Sequence, residues 1–369
     1  MAVEQLDPRD RRARKEFIKL EHRLLADEPR FIFVTDSDVD KQLGGKSPFF
    51  EETDHTLFVA SNGSGEVARC AALVNRRWQR HHGEQAGAIG YFAAGSGAGT
   101  EIAEMLDAAE QWLRERGATR VIAPFNGSAI LGLGVLTDAF DESPMFPLNW
   151  TPSAYSDYLE AAGYKRRYPL WIFDVDFDSE RYRETSRAAI QNAKCEIRTF
   201  DKKRWDEEIE LLRRVFNTTF AEEWEFYPLT ESEWGSFFKQ MKPIMDQEQY
   251  LFAEVDSQIA GFCFGMPDLN PLVRSFRGRM GPIQIVRMLL GARRIERAGL
   301  LAIGVLDEHR GKQIGQTLAA HLYRYYEQRG LRSSYYYPVN DVNLGSRRLA
   351  ESFGASGRIL YHAYDKPLR

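Results

Sequence analysis

Apolar runs separated by polar breaks resolve this chain into alternating strands and helices. Residues 301–306, Leu-Ala-Ile-Gly-Val-Leu, form a run rich in branched side chains and read as a buried strand. The run breaks at Asp307-Glu308-His309, and a short loop with Gly311 and Gly315 opens a helix striped by Ile314, Leu318, Leu322 and Tyr325. Arg329-Gly330 ends that helix, with glycine in its usual place after a last turn. Residues 333–339 read as the next strand, and Asn340 to Asn343 supply N-cap residues for another helix. Upstream, residues 205–220 and 231–241 carry helical stripes, while 250–255 and 259–266 read as an antiparallel hairpin. The hairpin ends at Pro267-Asp268-Leu269-Asn270, which is either a turn or the polar lining of a pocket.

The pattern repeats. A helix ending at Arg116-Gly117 leads to a strand at 120–123 and then Phe125-Asn126, as the helix ending at Arg329-Gly330 leads to 334–337 and then Val339-Asn340. Tyr158 to Tyr164 parallels Leu349 to Ala355, and each is followed by a final strand, 170–175 and 358–364. Two copies of one supersecondary unit are therefore expected: a first lobe over 1–178, a helical connector over 179–195 and a second lobe over 196–369. The copies differ where it matters. Gly95-Ser96-Gly97-Ala98-Gly99-Thr100 precedes the first lobe's helix without any counterpart of Arg310, so this lobe reads as a degenerate copy.

A helix start offers unpaired N–H groups and partial positive charge, which suits phosphate. Arg310 and Lys312 add full charges there, so the loop reads as a pyrophosphate cradle or, more simply, as a charged surface turn. Neither G-x-x-x-x-G-K-[ST] nor G-x-G-x-x-G is present.

Composition narrows the classes. At 369 residues with 43% hydrophobic and 28% charged content, the chain is an ordinary globular protein of two-domain size. A net charge of −4 gives no reason to expect nucleic acid. Cys70, Cys195 and Cys263 have neither metal-ligand nor disulfide spacing, and no metal site is expected; His81-His82 reads as an exposed loop pair. No signal peptide or run of roughly 20 apolar residues is evident, which points to the cytoplasm.

About thirty residues, 271–299, separate the hairpin from the strand at 301, and seven of them are arginine. As a helix from Ile283, this insert puts Ile285, Met288, Leu289, Ala292 and Ile295 on one face and Arg287, Arg294 and Arg297 on the other. Such a basic amphipathic helix lies on an anionic membrane surface or admits an apolar ligand; alternatively it caps the domain.

The Arg310–Gly315 loop resembles the R/Q-x-x-G-x-G/A acyl-CoA loop of the GNAT superfamily of N-acetyltransferases. Gln313 stands where a glycine is usual, a departure tolerable if residue 313 keeps helical dihedrals. From Asn343, the pattern N-x-x-A/S-x-x-x-Y-x-x-x-G-F is met at Ser346 and Gly354, whereas Ala350 and Ala355 replace its aromatics. The resemblance implies an α/β (α+β) fold of tandem GNAT units, each a mixed, mostly antiparallel sheet flanked by helices. Phe216-Asn217, the 224–230 segment, Pro267 to Asn270, Ala123 to Asn126 and Tyr361 to Lys366 resemble a two-lobed bacterial GNAT-like family that includes bacterial ceramide synthases.

That family resemblance implies an acyl-CoA-dependent N-acyltransferase joining a long-chain acyl group to a lipid amine, a sphingoid base, in a ternary complex, at the inner face of the membrane. Acetylation of a small soluble amine or protein, and non-catalytic acyl-CoA binding, are the alternatives. It places CoA on Arg310, Gly311, Lys312, Gln313, Ile314, Gly315, Gln316, Asn340 and Asn343. The thioester carbonyl then meets a backbone N–H near Gly304 or Val305. Asp268 is the first candidate base and Glu308, which alternatively caps the helix, the second. Tyr337 and His362 are candidates for the acid missing at Ala350. Asn217, Trp224, Phe226, Asn270, Met288 and Leu289 are candidates for binding the acceptor.

Overall fold

The computed structural model describes residues 3–145, 148–291 and 295–368, apart from the side chain of Tyr337. Alternating elements place helices on both faces of one mixed sheet. The first half runs β1 (Val3–Leu6), α1 (Arg11–Leu24), α2 (Asp36–Leu43), β2 (Thr53–Asn62), β3 (Gly65–Asn75), α3 (Arg76–His82), β4 (Ala86–Ala94), α4 (Gly99–Arg114), β5 (Arg120–Ala123), β6 (Val135–Leu136), α5 (Ala154–Ala161) and β7 (Lys165–Asp176). The connector is α6 (Glu180–Gln191), capped by the Ser179 side chain on the N–H of Tyr182. The second half runs β8 (Glu196–Thr199), α7 (Trp205–Thr219), α8 (Glu231–Met241), β9 (Tyr250–Val255), β10 (Gln258–Pro267), α9 (Asn270–Val273), α10 (Pro282–Gly291), β11 (Ala298–Val305), α11 (Ile314–Gln328), β12 (Ser333–Asn340), α12 (Leu344–Ser352) and β13 (Ser356–Pro367).

Among the described residues thirteen strands form one sheet in the order β1-β2-β3-β4-β5-β13-β7-β12-β11-β10-β9-β8, with β6 also on β13. The terminal strands of the two halves are exchanged. β13 pairs with β5 of the first half, while β7 pairs with β12 of the second. No pattern along the chain signals this exchange, because either strand satisfies the same apolar alternation. Its consequence is a shared core: Leu133 and Leu170 from the first half lie in one buried cluster with Phe216 and Trp234 from the second.

Two strand pairs among the described residues are parallel, β4–β5 and β11–β12, and each is short. β4 and β5 pair from Ala86↔Arg120 to Ala88↔Ile122, and β11 and β12 pair from Ala298↔Ser334 to Leu300↔Tyr336. Beyond those residues the strands part. The two openings occupy equivalent places in the two halves.

The insert departs from the expected single amphipathic helix. α10 ends at Gly291, and residues 292–294 of the expected faces lie outside the described residues. Arg297 is not on its polar face. Its guanidinium turns inward, 3.6 Å from buried Asp268 and over the ring of Tyr335 at 4.7 Å. Ile295 packs with Met241, Met266 and Leu269. The apolar residues of α10 point out instead: Ile283, Val286 and Leu290, at i, i+3 and i+7, are 71%, 53% and 69% exposed.

Candidate active site

The parting of β11 from β12 opens a cleft through the sheet. Leu301, Ala302 and Ile303 form one edge, and Tyr336, Pro338 and Asn340 the other. Phe216 of α7, Phe220 just past its end, Phe226 of the segment that follows, Trp234 and Phe237 of α8, and Phe264 of β10 build an aromatic wall. The first half closes the opposite side with Ala129, Ile130, Leu133, Leu148 and Leu170. A wall so apolar favours alkyl groups over polar ones. Gly304 lies just past this edge. A Cβ there would come within 2.3 Å of Thr219 Oγ1, so glycine is what lets the end of α7 pack against β11.

The polar groups of the cleft are few and converge. Glu225 is 5% exposed and its Oε2 has no hydrogen-bond partner among the described residues. Burial, reinforced by neighbouring Glu223, pushes its pKa up to about 8, although the Asn340 amide favours the ionised form. Burial also raises Glu223, against the opposing pull of Asn343 and of the Arg310 charge. Asn343 caps α12 through Oδ1 on the Ser346 N–H at 2.9 Å and donates its Nδ2 to Glu223 Oε1. Asn340 and Asn343 thus come together with a carboxyl pair that sequence reasoning missed. Glu223 and Glu225 sit in a segment whose aromatic residues drew attention, and nothing in a single sequence marks a carboxylate as buried.

The expected phosphate loop flanks this cluster. Arg310 pairs with Asp307 at 2.7 Å, both exposed, and Gly311 takes φ +78°. The first-turn N–H groups of Ile314, Gly315 and Gln316 have no acceptor within α11. Gln313 corrects the expectation of helical dihedrals: its φ and ψ are 63° and 15°, left-handed. That conformation costs a side-chain-bearing residue roughly 1–2 kcal/mol, and the usual glycine would avoid it.

The other expected residues have definite places. Asp268 is buried beside Arg297, accepts from the Asn270 N–H at 3.1 Å and is not among the residues lining the cleft. Asn270 donates to Pro144 O at 2.8 Å, tying the insert to the first half. Glu308 is exposed in the turn before Arg310. His362 holds Thr137 Oγ1 at 2.7 Å through Nδ1, off the cleft, and burial lowers its pKa. The Tyr337 side chain lies outside the described residues, whereas Tyr336 lines the cleft. Asn217 exchanges two 2.9 Å hydrogen bonds with the Leu229 backbone. Trp224 stacks on Tyr168 with ring centres 3.9 Å apart. Phe226 is in the aromatic wall, Met288 is half-buried and Leu289 is 42% exposed on α10. His81 and His82 are not in a loop; they end α3 and bond across to the second half.

The equivalent opening in the first half is filled. Asn126 Oδ1 accepts the Tyr91 N–H at 2.7 Å, and its Nδ2 donates to Leu131 O at 2.9 Å. Above it, the Tyr158 hydroxyl takes the Gly97 N–H at 3.1 Å in the glycine-rich loop.

Residues 209–355 match the Acetyltransferase (GNAT) family. The chain is 27% identical over 364 residues to the bacterial ceramide synthase of Caulobacter vibrioides, covering 96% of this chain and 94% of that one. It is 25% identical over 366 residues to protein YghO of Escherichia coli, covering 96% and 93%. In fold it is similar to a tandem GNAT protein from the clavulanic acid biosynthesis pathway, at a TM-score of 0.56 and 13% identity, with 100% of this chain and 99% of that one covered. A GCN5-related N-acetyltransferase from Sphaerobacter thermophilus gives a TM-score of 0.50 at 18% identity, covering 100% and 95%. The chain has the tandem GNAT fold, and its second half carries the match to the GNAT family, a family of acyltransferases that take acetyl-CoA or acyl-CoA as donor. Among the described residues no group of three or more His, Cys, Asp or Glu is placed to hold a metal, and no helix is long and apolar enough to cross a membrane.

Proposed function

We propose that this protein transfers a long-chain acyl group from acyl-CoA to the amine of a sphingoid base. The observation that carries the reading is the cleft itself, an aromatic and aliphatic slot through the sheet with buried Glu225 and half-buried Glu223 at one side. An acetyl group and a small polar amine would gain little from such a wall; two alkyl chains would gain about 0.8 kcal/mol per buried methylene.

Glu225 is the base in this reading. An alkyl ammonium ion titrates near 10.4, so an ordinary carboxylate at about 4.3 would take its proton at a cost of about 8 kcal/mol. A base at about 8 takes it for roughly 3 kcal/mol. With the ammonium proton on Glu225, the neutral amine attacks the thioester carbonyl, the C–N bond forms, the C–S bond breaks, and the second proton shed by the nitrogen leaves with the thiolate as the free thiol. Backbone N–H groups along 301–305, unpaired on the β12 side, would polarise the carbonyl, as proposed for Gly304 and Val305. Tyr336, kept protonated by burial, is the hydroxyl on the cleft for the departing thiolate. The loop from Arg310 to Gln316 would hold the diphosphate.

The amine's route is through the insert. Between residues 270 and 299 there are seven arginines and one acid, Glu296, a charge excess suited to an anionic leaflet. Leu269, Val273 and Ile295 pack in a cluster with Phe237 and Leu301, and those two line the cleft. Peripheral contact through α10 would therefore place a lipid surface beside the apolar slot.

Thiol release by the purified protein tests the reading. Acetyl-CoA and palmitoyl-CoA are each paired with sphinganine or 3-ketosphinganine, with Arg310→Ala as control. Release with palmitoyl-CoA alone, lost in the variant, supports it; silence with both amines despite acyl-CoA binding sinks the sphingoid acceptor.

A further inference from the structure

We propose that α3 of the first half is a clamp that positions Glu225, with Trp78 and His82 as its positioning residues. This rests on the reading of Glu225 as the base. The segment from 221 to 230 joins α7 to α8 without regular structure of its own. A buried carboxyl with an unpartnered oxygen is drawn toward water, and an irregular segment can swing to let it go. Something must hold the segment against that pull.

The groups that hold the backbone on either side of Glu225 come from one helix. Trp78 Nε1 donates to Trp224 O at 2.8 Å, and His82 Nε2 meets Phe226 O at 2.8 Å. A carbonyl only accepts, so His82 carries a proton on Nε2. These two carbonyls flank residue 225, and fixing both fixes the direction in which its side chain leaves the backbone. The grip extends on either side. His81 Nε2 bonds Ala221 O at 2.7 Å, and Arg77 bonds Pro228 O and pairs with buried Glu233. From the second half, Asn217 and Arg213 tie Leu229, Asn343 ties Glu223 and the Tyr227 hydroxyl bonds Glu233, none of them at the carbonyls that flank Glu225. The first half thus contributes a wall to the cleft and also sets the base.

The clamp is tested by the pH dependence of turnover in the full-length protein. The groups facing Glu225 are Glu223 and the Asn340 amide, with Asn343 and Arg310 behind Glu223. On the α3 side, His82 faces His81, Glu84 and Arg120, and its burial lowers its pKa, so it is uncharged through the alkaline assay range. Trp78→Phe and His82→Ala should free the segment, hydrate Glu225 and move the acid limb of kcat/KM down by about half a pH unit or more. They should also cut kcat by about tenfold or more while KM for acyl-CoA stays within about twofold. His82→Gln, which restores an amide donor, should recover most of both.

Folding is checked by melting temperature. If Trp78→Phe does not fold, the His82 pair decides. Melting measured from about pH 6 to 9 reads the Glu225 titration without turnover, and its alkaline destabilisation should shrink in the variants. An acid limb, kcat and alkaline destabilisation all unchanged in folded His82→Ala would overturn the clamp. Glu225→Gln with the wild-type rate and limb would remove the base reading, and the clamp with it.

Discussion

Asn126 occupies, in the first half, the space that the second half leaves open: its Oδ1 accepts the Tyr91 N–H 2.7 Å away, at the point where β4 and β5 part. The strand edge that would face a cofactor is satisfied from within. Gly90 completes the fit, since a Cβ there would lie 2.6 Å from the same Oδ1. One acyl-CoA per chain is therefore expected by isothermal titration, and Arg310→Ala should abolish it. Asn126→Ala should lower stability by about 1–3 kcal/mol, because a buried N–H loses its acceptor. Two equivalents bound per wild-type chain would contradict this account.

Glu225 carries a second expectation, with a worked sign. Its folded-state pKa, about 8, lies above the ordinary carboxyl value of 4.5, so the native protein holds this proton more tightly than the unfolded chain. Stability from this group is then full below 4.5 and falls as pH rises toward 8. Glu225→Gln mimics the protonated form. It should melt with the wild type at pH 5 and above it at pH 9, while turnover falls by about 10²–10⁴ and acyl-CoA affinity holds. Activity of the wild type should rise through a limb near pH 8. A variant that melts below the wild type at pH 9 would rule out a buried, destabilising carboxylate.

Much of the second half was legible because periodicity and punctuation agree there. α8 and β9 begin and end where their stripes do, and Asn343 caps α12 as its position suggested. The parting of β11 and β12 is not marked in the sequence, since no residue type encodes where pairing stops. The exchange of β7 and β13 was not legible at all. Glu223 and Glu225 were hidden for a related reason. The surroundings of Glu225 include Trp78, His82 and the first half's apolar wall, contacts more than a hundred residues away in sequence. Asp268 drew attention because it follows an apolar strand, yet its neighbourhood gives it Arg297 and a turn to hold.

Gln313 offers a test of the phosphate loop that does not depend on turnover. Its left-handed backbone, φ 63°, carries strain that glycine would not. Gln313→Gly gives up some unfolded-state restriction but relieves that strain, so the two effects oppose. With relief of roughly 1–2 kcal/mol against about 0.5–1 kcal/mol, the variant should melt at or slightly above the wild type. Acyl-CoA should bind at least as well, because the backbone then approaches the diphosphate without a Cβ. A clear loss of affinity would mean that the Gln313 side chain itself holds the cofactor.

The outward face of α10 gives the remaining prediction. Ile283, Val286 and Leu290 are exposed on one side, and Arg277, Arg279 and Arg287 of the same insert are exposed as well. Replacing the three apolar residues by aspartate should leave the melting temperature nearly unchanged, since exposed positions contribute within about 0.5 kcal/mol. Sedimentation with vesicles containing phosphatidylglycerol should respond strongly. Each apolar side chain contributes up to about 1.5–3 kcal/mol when buried, and each arginine about 1 kcal/mol near an anionic surface. The triple variant should therefore lose at least tenfold in binding, and wild-type binding should weaken with added salt as the arginine contribution is screened. Phosphatidylcholine vesicles should retain only the apolar part. Turnover of a lipid amine held in vesicles should fall with the triple substitution, whereas turnover of a short-chain amine in free solution should not. Equal sedimentation of variant and wild type would leave α10 as a cap without a membrane role, and the amine would then reach the cleft from water.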